Sequence, residues 1–406
     1  MYFTLAVKNI LASKGRSFTI LFLSLFTTAL FIVYVAFMDG SHYQIIKNSV
    51  EVYTGYAHVN AKGYQEESNY ENLIEDAGKI DTILRNDISI KAYAPRFESY
   101  ALLSGDEKSV GSMVVGIVPS SEKALSKLES SLLEGEYLND NDTHAIYIGS
   151  DLAKRLKVSL GSEVAMVGSS IDYSIAAELF RVKGIFKTGL FDFDSQSAFV
   201  NKSYLDTIMQ STNKASYFTL SFHDNNSIDK ATTTLQAKLP TNHEVVNWKA
   251  LLSALVQAML VDSIFGYISI SIFFLVIFFV IMIFSYVNIY TRTREIGLLR
   301  ALGLTSKDVF LMLLTETLLL ATFSVVLGGI IGGLVAHHYE LHPIIISGMA
   351  EMYKDYGVVS DEVPMNFDLF TITWNALTIF LLNLLAIIYP IAKINKLTAV
   401  EAMRYV

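Results

Sequence analysis

The 406-residue chain has no cysteine, which excludes both a disulfide framework and a thiolate metal site. A domain of roughly 220 residues can bury an adequate core without disulfides, so this absence says little about redox compartment. Charge is scarce as well. Only 17% of the residues are Asp, Glu, Lys or Arg, against about 25% in an ordinary soluble domain. There is no G-x-x-x-x-G-K-[ST] phosphate loop and no H-E-x-x-H, and no nucleophile, base and orienting acid stand together. The net charge of −8 comes mostly from the middle of the chain and argues against a nucleic-acid partner.

What is present is apolar: 52% of the residues are hydrophobic, concentrated in a few blocks. A bilayer core about 30 Å thick needs about 20 apolar residues in a helix. Four segments qualify: 17–38, 263–287, 309–336 and 368–391. The first two carry no charge, and the third contains a single acid, Glu316. Lysine and arginine flank these segments unevenly. Lys8, Lys14 and Arg16 precede the first, Arg292, Arg294, Arg300 and Lys307 lie between the second and third, and Lys393, Lys396 and Arg404 follow the fourth. Loop 337–367 holds only Lys354 against Glu340, Glu351, Asp355, Asp361 and Glu362. The positive-inside rule then places both termini in the cytoplasm and residues 39–262 outside. No small-x-small cleavage site follows the first segment, which reads as an uncleaved anchor.

Residues 39–262 read as ordinary globular sequence. A helical run over 41–52 continues the first span outward. Strand-like segments follow at 56–60, 88–103, 112–118, 145–148, 163–167, 179–186 and 197–200, separated by Gly, Asn and Asp turn signals. Helical pieces at 150–157 and 202–210 interleave, which predicts a mixed α/β domain of two lobes. From 250 to 263 the pattern turns helical again and runs into the second span.

The most informative stretch is 291–310, TRTREIGLLRALGLTSKDVF, on the cytoplasmic side between two spans. Its spacing predicts a short helix with Ile296, Leu299 and Leu302 or Gly303 on one face, and with Arg292, Arg294 and Arg300 as a solvated basic surface. Fixing topology needs only a few positive charges, not an amphipathic helix ending at a glycine.

This segment resembles the coupling-helix loop of permeases in the FtsX/MacB/LolC–LolE group of ABC transporters. Residues 5–17, LAVKNILASKGRS, resemble their amphipathic elbow helix, with Phe3, Val7, Ile10 and Leu11 on one face. LLEGEYL (132–138), IYIGSDLAKRLKVSLGSEVAMV (146–167) and FRVKGIFKTGLFDFD (180–194) resemble the group's periplasmic core. FMDG (37–40) followed by TGYAHV (54–59) is nearer the LolC/LolE branch than MacB, and PIAKINKLTAVEAMR (390–404) resembles the closing helix.

The resemblance implies a MacB/LolCDE-type mechanotransmission fold: four transmembrane helices with a large extracytoplasmic domain between the first two. The expected segments are an elbow at 1–16, a coupling loop at 288–308 and a cytoplasmic tail at 392–406. It implies no cofactor in this chain, with ATP and Mg bound by a separate pair of cytoplasmic ATPase subunits. These would dock on Arg294, Glu295, Ile296, Gly297, Leu298, Leu299, Arg300, Ala301, Leu302 and Gly303. With sixteen residues before the first span, an ATPase fused at the N-terminus is not expected. A second permease, the same chain or a paralogue, is the expected partner within the bacterial inner membrane. The leading reading is a LolCDE-like subunit that extracts lipoproteins from membrane lipid and passes them to a periplasmic carrier. The alternatives are a MacB-like exporter of peptides, drugs or lipids, and an FtsX-like regulator of a cell-wall hydrolase.

Weaker signals complete the picture. Gly328, Gly329, Gly332 and Gly333 form overlapping small-xxx-small pairs and predict close helix packing. Glu316 predicts either a polar contact in a dimer cavity or a side chain reaching to the cytoplasmic surface. His337, His338 and His342 do not share one helical face and read as a solvated helix end, not a metal site. Asp192 and Asp194 would share a strand face, with a turn as the default reading.

Overall fold

The computed structural model describes residues 2–224, 227–348 and 362–395. Lys354, Lys396 and Arg404, used above for orientation, and Glu351, Asp355 and Asp361 lie outside them. The chain divides into a helical unit and an α/β unit.

The chain opens with α1 (Tyr2–Ala12) and the long helix α2 (Lys14–Ser49). An apolar helix suits lipid because it satisfies its own backbone groups. A π-helical turn, Val50–Thr54, closes α2, and Gly55 follows at φ +77°. A Cβ at Gly55 would lie 2.3 Å from Thr219 Oγ1, so only glycine fits there. In α1 the packed side is Leu5, Ala6 and Asn9, with Ala6 fully buried and Asn9 Nδ2 3.8 Å from Met312 Sδ. Of the expected stripe, Phe3 and Leu11 are exposed and Val7 and Ile10 half-buried.

The α/β unit rests on ten paired strands among the described residues. They are β1 (Ala57–Ala61), β2 (Ile90–Ser104), β3 (Ser109–Ile117), β4 (Leu132–Gly135), β5 (Ala145–Gly149), β6 (Glu163–Ser169), β7 (Ile175–Phe186), β8 (Ser197–Asn201), β9 (Tyr217–Phe222) and β10 (His243–Asn247). The helices between them are α3 (Ala77–Arg85), α4 (Pro119–Glu122), α5 (Ser150–Leu156), α6 (Phe191–Gln196), α7 (Lys202–Met209), α8 (Ile228–Gln236) and α9 (Trp248–Leu251). The pairings β2–β3, β3–β8, β8–β5, β5–β7, β7–β6 and β6–β2 close on themselves as a six-stranded ring. Beyond the ring, β10, β1 and β9 extend the sheet from the first half of β2.

Strand alternation sorts the side chains. Leu103, Val114, Ile146, Ile148, Met166, Phe180 and Val200 share one core cluster with residues of α5 and α7. The opposite faces of β3, β5 and β8 carry Val115, Tyr147 and Phe199 into an aromatic cluster with Tyr137 and Phe186. Ile80, Leu84, Phe218, Leu220 and Leu235 form the core of the second lobe. The two lobes share β2.

The chain then runs through α10 (Ser253–Tyr290), α11 (Thr293–Ala301), α12 (Ser306–Leu341), the two-residue strands β11 (Ile344–Ile345) and β12 (Glu362–Val363), and α13 (Leu369–Asn395). Among the described residues, four helices (α2, α10, α12 and α13) are long and apolar enough to cross a membrane. Within the helical unit, α2 packs on α10 through Phe31 and Phe274, ring centroids 4.5 Å apart, and through a His42–Asp262 contact of 2.7 Å. Asn383 of α13 donates to Ser24 Oγ of α2 at 3.1 Å.

Candidate functional site

The loop from α10 to α12 is built as a rigid bracket. Thr293 Oγ1 donates to the Tyr290 carbonyl at 2.7 Å, turning the chain out of α10. At the far end of α11, Gly303 takes φ +108°. Its N–H donates to the Arg300 carbonyl at 3.1 Å, and the Leu304 N–H to the Leu299 carbonyl at 3.2 Å. That pair of bonds is a Schellman closure, which favours glycine at the left-handed position. Thr305 then caps α12 in a reciprocal box with Asp308. Both ends of the nine-residue α11 are thus fixed by local hydrogen bonds.

Ile296 is buried against Ile289, Val309, Met312, Leu313 and Ile387, with Leu299 half-buried on the same cluster. Gly297 is buried, while Arg294, Glu295, Ala301 and Gly303 are exposed. Leu302 does not join Ile296: it is 74% exposed, and Leu298 is 57% exposed. The face α11 presents outward is therefore Leu298 and Leu302 with Arg294 and Glu295. A groove of about 390 Å³ lined by Ser306, Lys307, Phe310 and Leu311 lies at the start of α12. Arg300 is half-buried.

Arg292 departs from the expected solvated surface. It is 4% exposed, and its Nη1 donates to both carboxylate oxygens of Glu316 at 2.9 and 3.0 Å. Its Nε lies 3.4 Å from Glu295 Oε2. Glu316, 3% exposed, thus meets an arginine of its own chain and does not reach the surface of this chain. Beside the pair is a cavity of about 20 Å³, lined in part by Ser24, Ser285, Asn288, Glu316, Ser324 and Asn383. Asn288 Oδ1 is buried there without a hydrogen-bond partner.

The four glycines of α12 do not act alike. A Cβ at Gly328 would sit 2.6 Å from the Leu25 carbonyl oxygen, and one at Gly332 2.9 Å from that of Ala29. These two seat α12 on α2. Gly329 has nothing within 4 Å, and a Cβ at Gly333 would make ordinary contact with Ile372 and Phe367. At the helix end, His337 lies 3.2 Å from Glu340, and His338 stacks on His342.

Asp192 and Asp194 fall on α6, not on a strand. The buried Asp194 carboxylate accepts from the Thr188 hydroxyl at 2.7 Å and from the Thr188 and Gly189 N–H groups at 3.0 Å. It fastens a turn, and burial raises its pKa above the ordinary carboxylate value.

The sequence reading missed a buried ionic network where β2 passes from one lobe to the other. Arg96 and Glu122 are both fully buried; the Arg96 Nε donates to Glu122 Oε2 at 3.2 Å. The guanidinium lies 3.9 Å from the Tyr53 ring centroid, and the Tyr53 hydroxyl reaches Glu98 at 3.0 Å. Tyr217 also donates to Glu98, and His58 stacks on Tyr217 at 4.0 Å. Burial and the Arg96 charge pull His58 down to about 3, so it is neutral at pH 7. Burial and Glu98 push Tyr217 well above its ordinary value. The period-2 alternation of β2 carries no sign that Arg96 faces inward.

Comparison with known proteins places this geometry. A model of the MacB-like periplasmic core domain matches residues 18–238, and one of the FtsX-like permease C-terminal region matches residues 267–399. The lipoprotein-releasing system transmembrane protein LolC of Neisseria meningitidis serogroup B is 22% identical over 362 residues, 86% of each chain. An uncharacterised ABC transporter permease of Methanocaldococcus jannaschii is 27% identical over 213 residues, 51% of this chain and 52% of that one. Two solved structures are similar to parts of the chain. The periplasmic region of MacB from Actinobacillus actinomycetemcomitans has a TM-score of 0.39 at 15% identity, covering 52% of this chain and 97% of that one. The extracellular domain of YknZ has a TM-score of 0.36 at 19% identity, covering 48% and 100%.

Proposed function

This chain belongs to the MacB-like periplasmic core family, and so to the FtsX/MacB/LolC group of ABC transporter permeases, and from that premise we propose that it is the membrane subunit of a lipoprotein-releasing system. Membership in that group makes it a non-catalytic subunit and implies a cytoplasmic ATPase partner. The observation that carries the finer reading is the match to LolC along 86% of both chains, spanning the helical and α/β units together. The ATPase docks on the outward face of α11, at Leu298 and Leu302, on the side of the membrane that also holds both termini. Two permease copies, or this chain and a paralogue, work together in the bacterial inner membrane. Lipoprotein drawn from the lipid is passed to a soluble periplasmic carrier. ATP and Mg are bound by the partner.

A second reading, an exporter working with an adaptor and an outer-membrane channel, is favoured by the MacB-like core model over residues 18–238. The partner set separates the two. Affinity purification from native membranes in mild detergent, followed by mass spectrometry, is expected to recover an ATPase together with lipoproteins or their carrier. Recovery of an adaptor and an outer-membrane channel in their place would overturn lipoprotein release in favour of export.

A further inference from the structure

Glu316 lies ten residues into α12, about 15 Å along the helix from its start. Among apolar helices an unpaired acid at that depth costs a few kcal/mol. Arg292 removes that cost, reaching from the N-terminus of α11 into the bundle and meeting both oxygens of the carboxylate. For stability alone, an apolar pair of similar volume would serve as well or better. What the ion pair adds is direction. The charge-assisted contact of the single Arg292 Nη1 with both carboxylate oxygens, at 2.9 and 3.0 Å, resists sliding along the helix axis, whereas apolar contacts such as Ile296 on Val309 and Met312 permit it. Beside the pair, a cavity of about 20 Å³ at Ser285, Asn288 and Asn383 leaves α10, α12 and α13 incompletely packed.

We propose that Arg292 and Glu316 are positioning residues that lock α11 to the inner part of α12, so that a push on the loop moves α12 instead of being absorbed by the loop. The inference rests on the reading that the ATPase docks on α11. Glu295, exposed on the docking face and 3.4 Å from the Arg292 Nε, extends the same link to the surface the partner would touch.

The test uses the full chain in detergent, first alone and then with its ATPase, and reads backbone hydrogen exchange. In the permease alone, Glu316→Gln is expected to speed exchange of the amides over 296–301 by at least about tenfold, with 320–333 unchanged. Because an unpaired Arg292 could unfold the bundle, the double variant Arg292→Met/Glu316→Met removes both charges and is expected to melt at or above the wild-type temperature. In the complex, ATP binding should alter exchange along α12 in the wild type. The double variant should keep the ATPase bound and lose that response. A wild-type response in the double variant, or unchanged α11 exchange in Glu316→Gln, would overturn the lock. Failure of the wild type to bind any ATPase would instead strike the docking reading, and the exchange of the permease alone would still decide the lock.

Discussion

At the scale of single residues, the decisive features are contacts that one atom can break. Gly332 is the clearest, because Gly332→Val would drive its Cβ toward the Ala29 oxygen at 2.9 Å and the Ile32 Cβ at 3.0 Å. Overpacking of that kind costs about 1–3 kcal/mol, so a lower melting temperature in detergent is expected. Gly329→Ala meets nothing within 4 Å and should melt like the wild type. His58 gives the α/β unit a pH dependence of defined sign. Its folded pKa, about 3, lies below the unfolded value near 6.5, so its contribution to stability is complete above pH 6.5. That contribution declines as pH falls from 6.5 toward 3, by up to about 1.4 kcal/mol per pH unit. Trp248, packed on the second lobe, reports unfolding of this unit once Trp374 is replaced by Phe. Denaturant titrations at pH 7 and pH 5 should show the loss, and His58→Gln should flatten it. Glu122→Gln strands the fully buried Arg96 and should cost about 3–5 kcal/mol.

At the scale of elements, the spans were legible because lipid imposes one requirement on every residue of a helix. The structure extends each span beyond its apolar block, as far as Ser49 in α2 and back to Ser253 in α10, because polar residues continue a helix that apolar ones have begun. Strands with a polar side, such as β2 and β6, were also visible in the pattern. The strand β9 was passed over although Phe218, Thr219, Leu220, Ser221 and Phe222 alternate apolar and polar, and the structure buries both of its faces. The α11 helix itself could be read from TREIGLLRALG, and so could Leu299 on the same face as Ile296; Leu302, expected on that face too, turns outward with Leu298. The consequence for testing is direct. Leu299→Asp should lower the melting temperature by introducing a charge beside Val309 and Met312, whereas Leu298→Asp should leave it unchanged.

At the scale of the whole molecule, one design principle connects the parts. β1 leaves the π turn that closes α2, β10 leads through α9 into α10, and the two strands pair antiparallel from Ala57↔Asn247 to Ala61↔His243. The exit from the first span and the entry to the second are therefore tied at one edge of the sheet.

The most direct test of this account is retention of the ATPase by the intact chain, comparing wild type with Leu298→Asp/Leu302→Asp after purification from native membranes. The account predicts that the wild type carries an ATPase bearing its own phosphate-binding loop. The double variant, equally abundant in the membrane and equally stable, should have lost it. Equal retention by both proteins would contradict docking on α11, and no ATPase on the wild type would contradict the assignment of an ATP-driven permease.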